Sequence, residues 1–257
     1  MKFFLIGFLA LIVSGCVTTT DSPFSNKADE GKALQNYIQL GLAYIQRNDF
    51  EKARTNIGRA LEIDSDSSEA YAALGLLYQQ QAENDLAEEH FKQAMSLDAN
   101  NTRGRTFYAS FLFRQERYQE SLQQFELAGR DTGYSRRAVI FINIAQCHLK
   151  LGQNDQAVKA YEKALALDRV QPQALIGISQ LLIQQGEFLK GQQYYNRMVN
   201  VIKSSGMTHS AKSLWLGIEL ARHFNDQSKE SSYALLLKKL YPESQEYQQY
   251  RALKSND

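Results

Sequence analysis

The chain has 257 residues, of which 29 are basic and 28 acidic, and its formal net charge is +1. This balance excludes the broad positive field that draws proteins to nucleic acid, so we expect no nucleic-acid partner. Ala, Leu, Gln, Glu and Lys are abundant and only three residues are proline, a composition that favours helix over sheet.

Residues 1–15 have the features of a signal peptide. Lys2 precedes an apolar run of eleven residues, 3–13, whereas a membrane-spanning helix needs roughly 20. The run closes on Val13-Ser14-Gly15-Cys16, which resembles a bacterial lipobox, so we predict that Cys16 becomes the acylated first residue of the mature protein. Because Val17 then stands second, where an aspartate would retain the protein in the inner membrane, we expect a lipid-anchored protein on the periplasmic side of the outer membrane.

Residues 16–33 are predicted to form the lipidated N-terminus and a flexible tether. From Val17 to Ala33 the chain is mostly polar and shows no sustained apolar period. A segment of this kind has too few apolar side chains to pack, so we expect the folded part to stand off the membrane.

From residue 34 the chain repeats itself every 34 residues. Seven positions of 34–67 recur in 68–101; they are Tyr37, Leu40, Gly41, Tyr44, Ala53, Ile57 and Ala60, then Tyr71, Leu74, Gly75, Tyr78, Ala87, Phe91 and Ala94. This is the spacing of a tetratricopeptide repeat, a helix pair that buries its apolar face by stacking on copies of itself. Weaker copies occupy 102–135, 138–171, 172–205 and 210–243. We predict an all-α, right-handed superhelix of about six repeats over 34–257, with a capping helix in 244–257.

No group of residues has the pattern of a catalytic or metal site. The four histidines fall in separate repeats without metal-ligand spacing. Cys147 lies among apolar residues, as a buried and inert thiol does. Gly41, Gly75 and Gly217 are interpreted as glycines at helix crossings, not as part of a phosphate loop. We therefore predict a non-enzymatic protein without metal, cofactor or small-molecule substrate, which acts through a surface.

The first helix of each repeat lines the concave groove of such a stack, chiefly with the second, fifth, ninth, twelfth and thirteenth residues of the repeat. In the first two repeats these positions include Ile38, Leu42, Ile45, Ala72 and Leu76. Apolar residues facing an open groove predict a docking site for an apolar or amphipathic segment. The alternative is that the first three complete the end of the stack or lie under the tether.

The third repeat is rich in arginine. Two of its arginines, Arg103 and Arg114, fall at groove positions, where they are candidates to contact an acidic partner. The alternative is an ordinary solvated face, because most exposed charges contribute little.

The sixth repeat carries a narrower resemblance. It reads Ser-Leu-Trp-Leu-Gly-Ile-Glu-Leu-Ala-Arg over 213–222, Ser-Tyr-Ala-Leu over 232–235 and Lys-Leu-Tyr-Pro-Glu-Ser over 239–244. Together with the lipobox, the six repeats and the short cap, these stretches resemble the PilF/PilW family of type IV pilus pilotins, over nearly the whole chain.

This resemblance implies an outer-membrane lipoprotein that binds subunits of the pilus secretin. It implies further that the protein carries these subunits through lipoprotein sorting and promotes their assembly into the ring through which the pilus emerges. The alternative function is that of a periplasmic repeat scaffold that serves peptidoglycan enzymes or outer-membrane barrel assembly.

Overall fold

The computed structural model describes residues 23–255, and over this range the chain forms thirteen α-helices and no β-strand. The predicted signal peptide and Cys16 lie outside the described residues. Twelve of the helices form six pairs: α1 (Pro23–Gln46) with α2 (Phe50–Ile63), α3 (Ser68–Gln80) with α4 (Asn84–Leu97), α5 (Thr102–Arg114) with α6 (Tyr118–Ala128), α7 (Arg137–Lys150) with α8 (Asn154–Leu167), α9 (Pro172–Gln184) with α10 (Phe188–Ser205), and α11 (Ala211–His223) with α12 (Gln227–Leu240). The last helix, α13 (Gln245–Ser255), follows alone.

The pairs stack on one another in chain order. The two helices of each pair pack closely, and the second helix of each pair also contacts the first helix that follows it. First helices contact one another directly from α1 through α5 and again between α9 and α11, so they share the inner layer of the stack. This arrangement confirms the predicted all-α superhelix of tetratricopeptide repeats with a capping helix.

Helix α1 is longer than the first helix of any other repeat. It begins at Pro23, so the prediction of an irregular tether is wrong for residues 23–33. The helix begins with a proline, whose missing N–H costs little at that position, and the sequence continues with strong helix formers such as Ala28, Glu30 and Ala33. Apolar periodicity did not reveal this part of the helix because Phe24 is its only large apolar residue.

Three glycines allow close approach between helices. An added Cβ on Gly41 would lie 2.6 Å from Ile57 Cγ1, and one on Gly75 would lie 2.6 Å from the ring of Phe91. At Gly217 the same atom would meet the side chains of Tyr195 and Tyr233. The interpretation of these residues as helix-crossing glycines is therefore confirmed.

The turn inside each repeat contains one residue in the left-handed conformation. These residues have φ between 58° and 79°, and they are Asn48, Ala82, Glu116, Gly152, Gly186 and Asn225. The N–H of the next residue donates to a carbonyl five positions earlier, as from Glu83 to Tyr78. Such helix ends favour glycine or asparagine, and two of the six turns have neither.

We expect Ala82→Gly to stabilise the protein by about 0.5–1 kcal/mol. The left-handed conformation costs an alanine roughly 1–2 kcal/mol, and the greater freedom of glycine in the unfolded chain removes part of that gain. Ala43→Gly is the control, because Ala43 is exposed and helical in the last turn of α1, where glycine costs up to about 1 kcal/mol. Urea unfolding of both variants measures the difference, and destabilisation by Ala82→Gly would contradict the expectation.

The open end of the stack is covered by α13. Tyr247 and Tyr250 of this helix pack against a buried cluster that includes Leu214 and Leu237. Between α12 and α13, the hydroxyl of Tyr241 donates to the carbonyl of His209 over 2.6 Å.

Among residues 23–255, no helix combines the length and apolarity that crossing a membrane requires.

Candidate partner-binding surface

The side chains that α1, α3, α5, α9 and α11 present away from the second helices form what we call the inner face. Gln35 and Glu69 occupy equivalent positions of the first two repeats on this face, and the Gln35 amide donates to the Glu69 carboxylate over 2.8 Å. This polar contact links the first repeat to the second.

Ile38, Leu42 and Ile45 do not face an open groove. Their side chains are 1%, 9% and 3% exposed, and they form one buried cluster with residues of α2 and α3, including Ile57 and Leu77. The prediction that these three residues line a groove is therefore wrong, and their burial matches the alternative that they complete the end of the stack.

The close approach of α1 and α3 explains this burial. The facing residues of α3 include Ala70 and Ala73, both fully buried, and small side chains let two helices come near enough to cover the positions beside them. Conversely, Leu40 occupies a packing position of the repeat but is 45% exposed, because no repeat precedes the first one within the described residues.

The two predicted groove residues of the second repeat differ from each other. Ala72 is buried against Gly104 of α5, where an added Cβ would lie 2.9 Å from Ala72 Cβ. The side chain of Asn101 holds the two helices at this distance. Its Oδ1 accepts a hydrogen bond from the Gly104 N–H, and its Nδ2 donates to the Ser68 hydroxyl, both over 2.8 Å. Leu76 is half-buried between two apolar clusters, so only Leu76 keeps partial access to solvent.

Arg103 and Arg114 lie on the flank of α5 opposite Arg105, whose guanidinium donates to Gln124 of α6. Arg114 is exposed and Arg103 is half-exposed. Among the described residues, neither takes part in an ion pair with a carboxylate. Contact with an acidic partner through these two arginines stays a prediction.

Other charges of the third repeat are neutralised inside the protein. Arg117 pairs with Glu88 of α4 and with Glu120, each over 2.6 Å, and Tyr108 donates to Glu88 over 3.2 Å. The hydrogen bond from Arg117 lowers the pKa of the Glu88 carboxyl to about 2. This network joins the second repeat to the third. Arg117 is already paired with two carboxylates, so it is not a candidate to bind an acidic partner.

We expect Glu88→Gln to lower the free energy of unfolding by about 1–2 kcal/mol at pH 7, after allowance for partial exposure. The folded pKa lies below the unfolded value of 4.5, so this stability is present above pH 4.5 and is lost as the pH falls towards 2. The variant therefore flattens the acid side of the stability curve. Unfolding at pH 7, 4 and 3 measures this; Glu89→Gln, at an exposed neighbouring position, is the control, and equal acid sensitivity of Glu88→Gln and the native chain would contradict the linkage.

A cleft of about 320 Å³ lies on the inner face at its C-terminal end, between α9, α11 and α13. Its lining includes Trp215, Glu219, Gln180, Gln184 and Gln249. Burial raises the pKa of the Glu219 carboxyl, which accepts a hydrogen bond from Trp215. Amide groups pair well with peptide groups, and the indole offers an apolar surface with one donor. The sequence signal for this cleft was glutamine at groove positions of the fifth repeat.

The structure shows how the metal-ligating and thiol side chains of the described residues are arranged. No group of three or more His, Cys, Asp or Glu side chains in this part of the chain is arranged to hold a metal ion. Cys147 is buried, its sulfur lies 3.4 Å from the Ser121 hydroxyl oxygen, and burial raises the pKa of its thiol, so the unreactive protonated form dominates.

Comparisons with known proteins agree with this geometry. A family model described as "TPR repeat" matches residues 41–81, and two models described as "Tetratricopeptide repeat" match 68–101 and 138–169. The chain is thus a tetratricopeptide-repeat protein with a stacked-helix core.

Two relatives identify the family. The chain is 38% identical over 251 residues to the type IV pilus assembly protein PilF of Pseudomonas aeruginosa, covering 97% of this chain and 98% of that protein. The solved structure of Pseudomonas aeruginosa PilF matches 87% of this chain and 99% of its own with a TM-score of 0.79, and that of PilW, a type IV pilus biogenesis factor, matches 84% and 97% with a TM-score of 0.71 and 25% identity. The chain belongs to the PilF/PilW family of type IV pilus biogenesis proteins, which confirms the family resemblance seen in the sequence.

Proposed function

We propose that the protein is a lipoprotein of the outer membrane, facing the periplasm, which binds subunits of the type IV pilus secretin and promotes their localisation and multimerisation. The observation that carries this proposal is 38% identity to a type IV pilus assembly protein over 97% of the chain. The lipobox ending at Cys16 supports the anchor. A scaffold of stacked repeats supports a role in holding a partner chain.

The inner face supplies the contact surface in this proposal. Arg103 and Arg114 attract acidic side chains, Leu76 offers apolar area, and the cleft beside Trp215 and Gln180 receives a side chain or a stretch of backbone. A polypeptide segment lying along α3, α5, α9 and α11 touches all of these groups. Charged contacts at such a rim chiefly raise the association rate.

The first experiment compares a deletion strain, a Cys16→Ser strain and the parent for secretin multimers in unboiled outer-membrane fractions. We expect the deletion to lose multimers while monomers persist, and Cys16→Ser to misplace whatever multimers form. If multimers are unchanged in both strains, the proposal fails, and the alternative, a periplasmic scaffold for peptidoglycan enzymes or barrel assembly, takes its place.

A second experiment tests the inner face. We expect Arg103→Glu/Arg114→Glu to reduce the multimer fraction, because the double reversal opposes an acidic secretin segment. Arg169→Glu/Arg251→Glu changes the net charge equally at exposed positions away from α5 and is the control. Equal loss in both variants would assign the effect to overall charge, and no loss in either would remove the two arginines from the contact.

A further inference from the structure

A cleft lies where α6, α7 and α8 meet. The cleft there has a volume of about 370 Å³ and is lined by Glu126, Gly129, Arg130, Arg137, Phe141, Ile144, His148, Gln156, Lys159, Ala160 and Lys163. We call it the basic cleft. Its volume is in the range of sites that take a small ligand or a few side chains, roughly 300–1,000 Å³.

The cleft lies where the third repeat departs from the pattern of the others. Helix α6 has 11 residues, whereas α4 and α8 have 14 each. The connection from α6 to α7 covers residues 129–136, whereas four-residue connections, such as 98–101 and 168–171, precede α5 and α9. The floor of the cleft is formed by the half-buried ring of Phe141 and the buried side chain of Ile144, both on α7.

Basic side chains outnumber acidic ones in the lining of the basic cleft, although Asp131, outside the lining, also interacts electrostatically with Arg137. Four basic side chains line it, namely Arg130, Arg137, Lys159 and Lys163, against one acid, Glu126. Among the described residues, none of the four forms an ion pair with a carboxylate, in contrast to Arg117 in the same repeat. Unpaired like charges around a concave surface raise the local potential and attract an anionic partner.

Arg137 is held in position before any ligand arrives. Its Nε donates to the carbonyl of Gly129 over 2.8 Å, and the centre of its guanidinium lies 5.6 Å from the centroid of the Phe141 ring. These contacts leave its terminal nitrogens to bind a carboxylate. A guanidinium fixed in this way loses little side-chain entropy on binding.

We infer that the basic cleft binds an acidic polypeptide segment that carries an aromatic or large apolar residue among its carboxylates. The basic rim recognises the carboxylates, and the floor of Phe141, Ile144 and Ala160 receives the apolar side chain. A concave site with an apolar floor favours such a peptide over a flat anionic lipid surface, which would need its cations on one exposed plane. This inference stands apart from the proposed secretin contact, because the basic cleft is lined by residues of α6, α7, α8 and the connection between α6 and α7, none of which belongs to the inner face.

The test uses the full chain in detergent and a fluorescein-labelled peptide, Asp-Glu-Asp-Phe-Glu-Asp, followed by fluorescence anisotropy at low salt. We expect binding that Lys159→Glu/Lys163→Glu weakens by about tenfold or more. Both lysines are exposed, so we expect the variant to keep its helical circular dichroism and its unfolding midpoint. Lys238→Glu/Lys239→Glu is the control, because these lysines are exposed on α12 and the change in net charge is the same; we expect an effect of about twofold or less.

Three outcomes would overturn the inference. The first is equal weakening in both charge-reversal variants, which would reduce the effect to overall charge. The second is equal binding of a peptide with alanine in place of phenylalanine, together with full displacement by short-chain phosphatidylglycerol, which would indicate a headgroup site. The third is unchanged binding in Lys159→Glu/Lys163→Glu. Because the assay contains no secretin, its result is independent of the multimer experiments.

Discussion

Gly75→Ala is expected to destabilise the protein by about 2 kcal/mol. The added Cβ would lie 2.6 Å from the ring of Phe91, closer than non-bonded carbon atoms approach. Phe91 is fully buried and packs at 5.6–5.7 Å, centroid to centroid, from Tyr108 and Phe111, so its ring has no free space to move into. Overpacking of this kind costs roughly 1–3 kcal/mol, and the better helix propensity of alanine returns about 1 kcal/mol at most.

Gly58→Ala is the matched control for this prediction. Gly58 is also inside a helix, α2, but an added Cβ there meets no atom within 4 Å. We expect a gain of roughly 0.5–1 kcal/mol, so the two Gly-to-Ala changes have opposite signs. Chemical denaturation of both variants measures this, and Phe91→Leu in the Gly75→Ala background should recover part of the loss, since the two sites are coupled. If Gly75→Ala also stabilises, the helices are not held as close as described.

The sequence predicts the positions of the helices well, because the 34-residue repeat determines where each helix begins and which of its residues pack against the partner helix. Repeats expected to start at residues 68, 102 and 172 coincide with the first residues of α3, α5 and α9. The glycine and aromatic positions of the second repeat identify the contact between Gly75 and Phe91 directly, since residues 16 apart meet wherever this helix pair forms. The spacing of residues within one repeat is therefore enough to predict this contact, and the arrangement of the other repeats need not be known.

Burial at groove positions is harder to predict, because it depends on how neighbouring repeats sit against each other. The sequence shows that Leu42 occupies a groove position, but whether the groove is open there depends on Ala70 and Ala73 of the next repeat. Likewise, the basic cleft depends on the short helix α6 and on residues 129–136. Both features arise where the stack departs from its average geometry, which a consensus pattern does not describe.

Ile38 and Leu40, both on α1, should contribute very differently to the stability of the first repeat. We expect Ile38→Ala to cost about 2–5 kcal/mol, because the Ile38 side chain is 1% exposed and its removal leaves a cavity. Leu40→Ala, two residues away on the same helix, removes a side chain that is 45% exposed, and we expect a loss below about 0.5 kcal/mol. The repeat pattern alone would predict the reverse order.

The loss of stability in Ile38→Ala should be confined to the first repeat, because this repeat lies at one end of the described stack. In a stack where each repeat contacts only its neighbours, an end repeat opens without the rest, so Ile38→Ala should reduce amide hydrogen-exchange protection chiefly in α1 and α2. If Ile38 instead lined a docking groove, its truncation would leave exchange unchanged and reduce secretin binding by a folded protein. Measured together, exchange and binding distinguish a core residue from a contact residue, and a fully protected α1 in Ile38→Ala would contradict the packing described for this repeat.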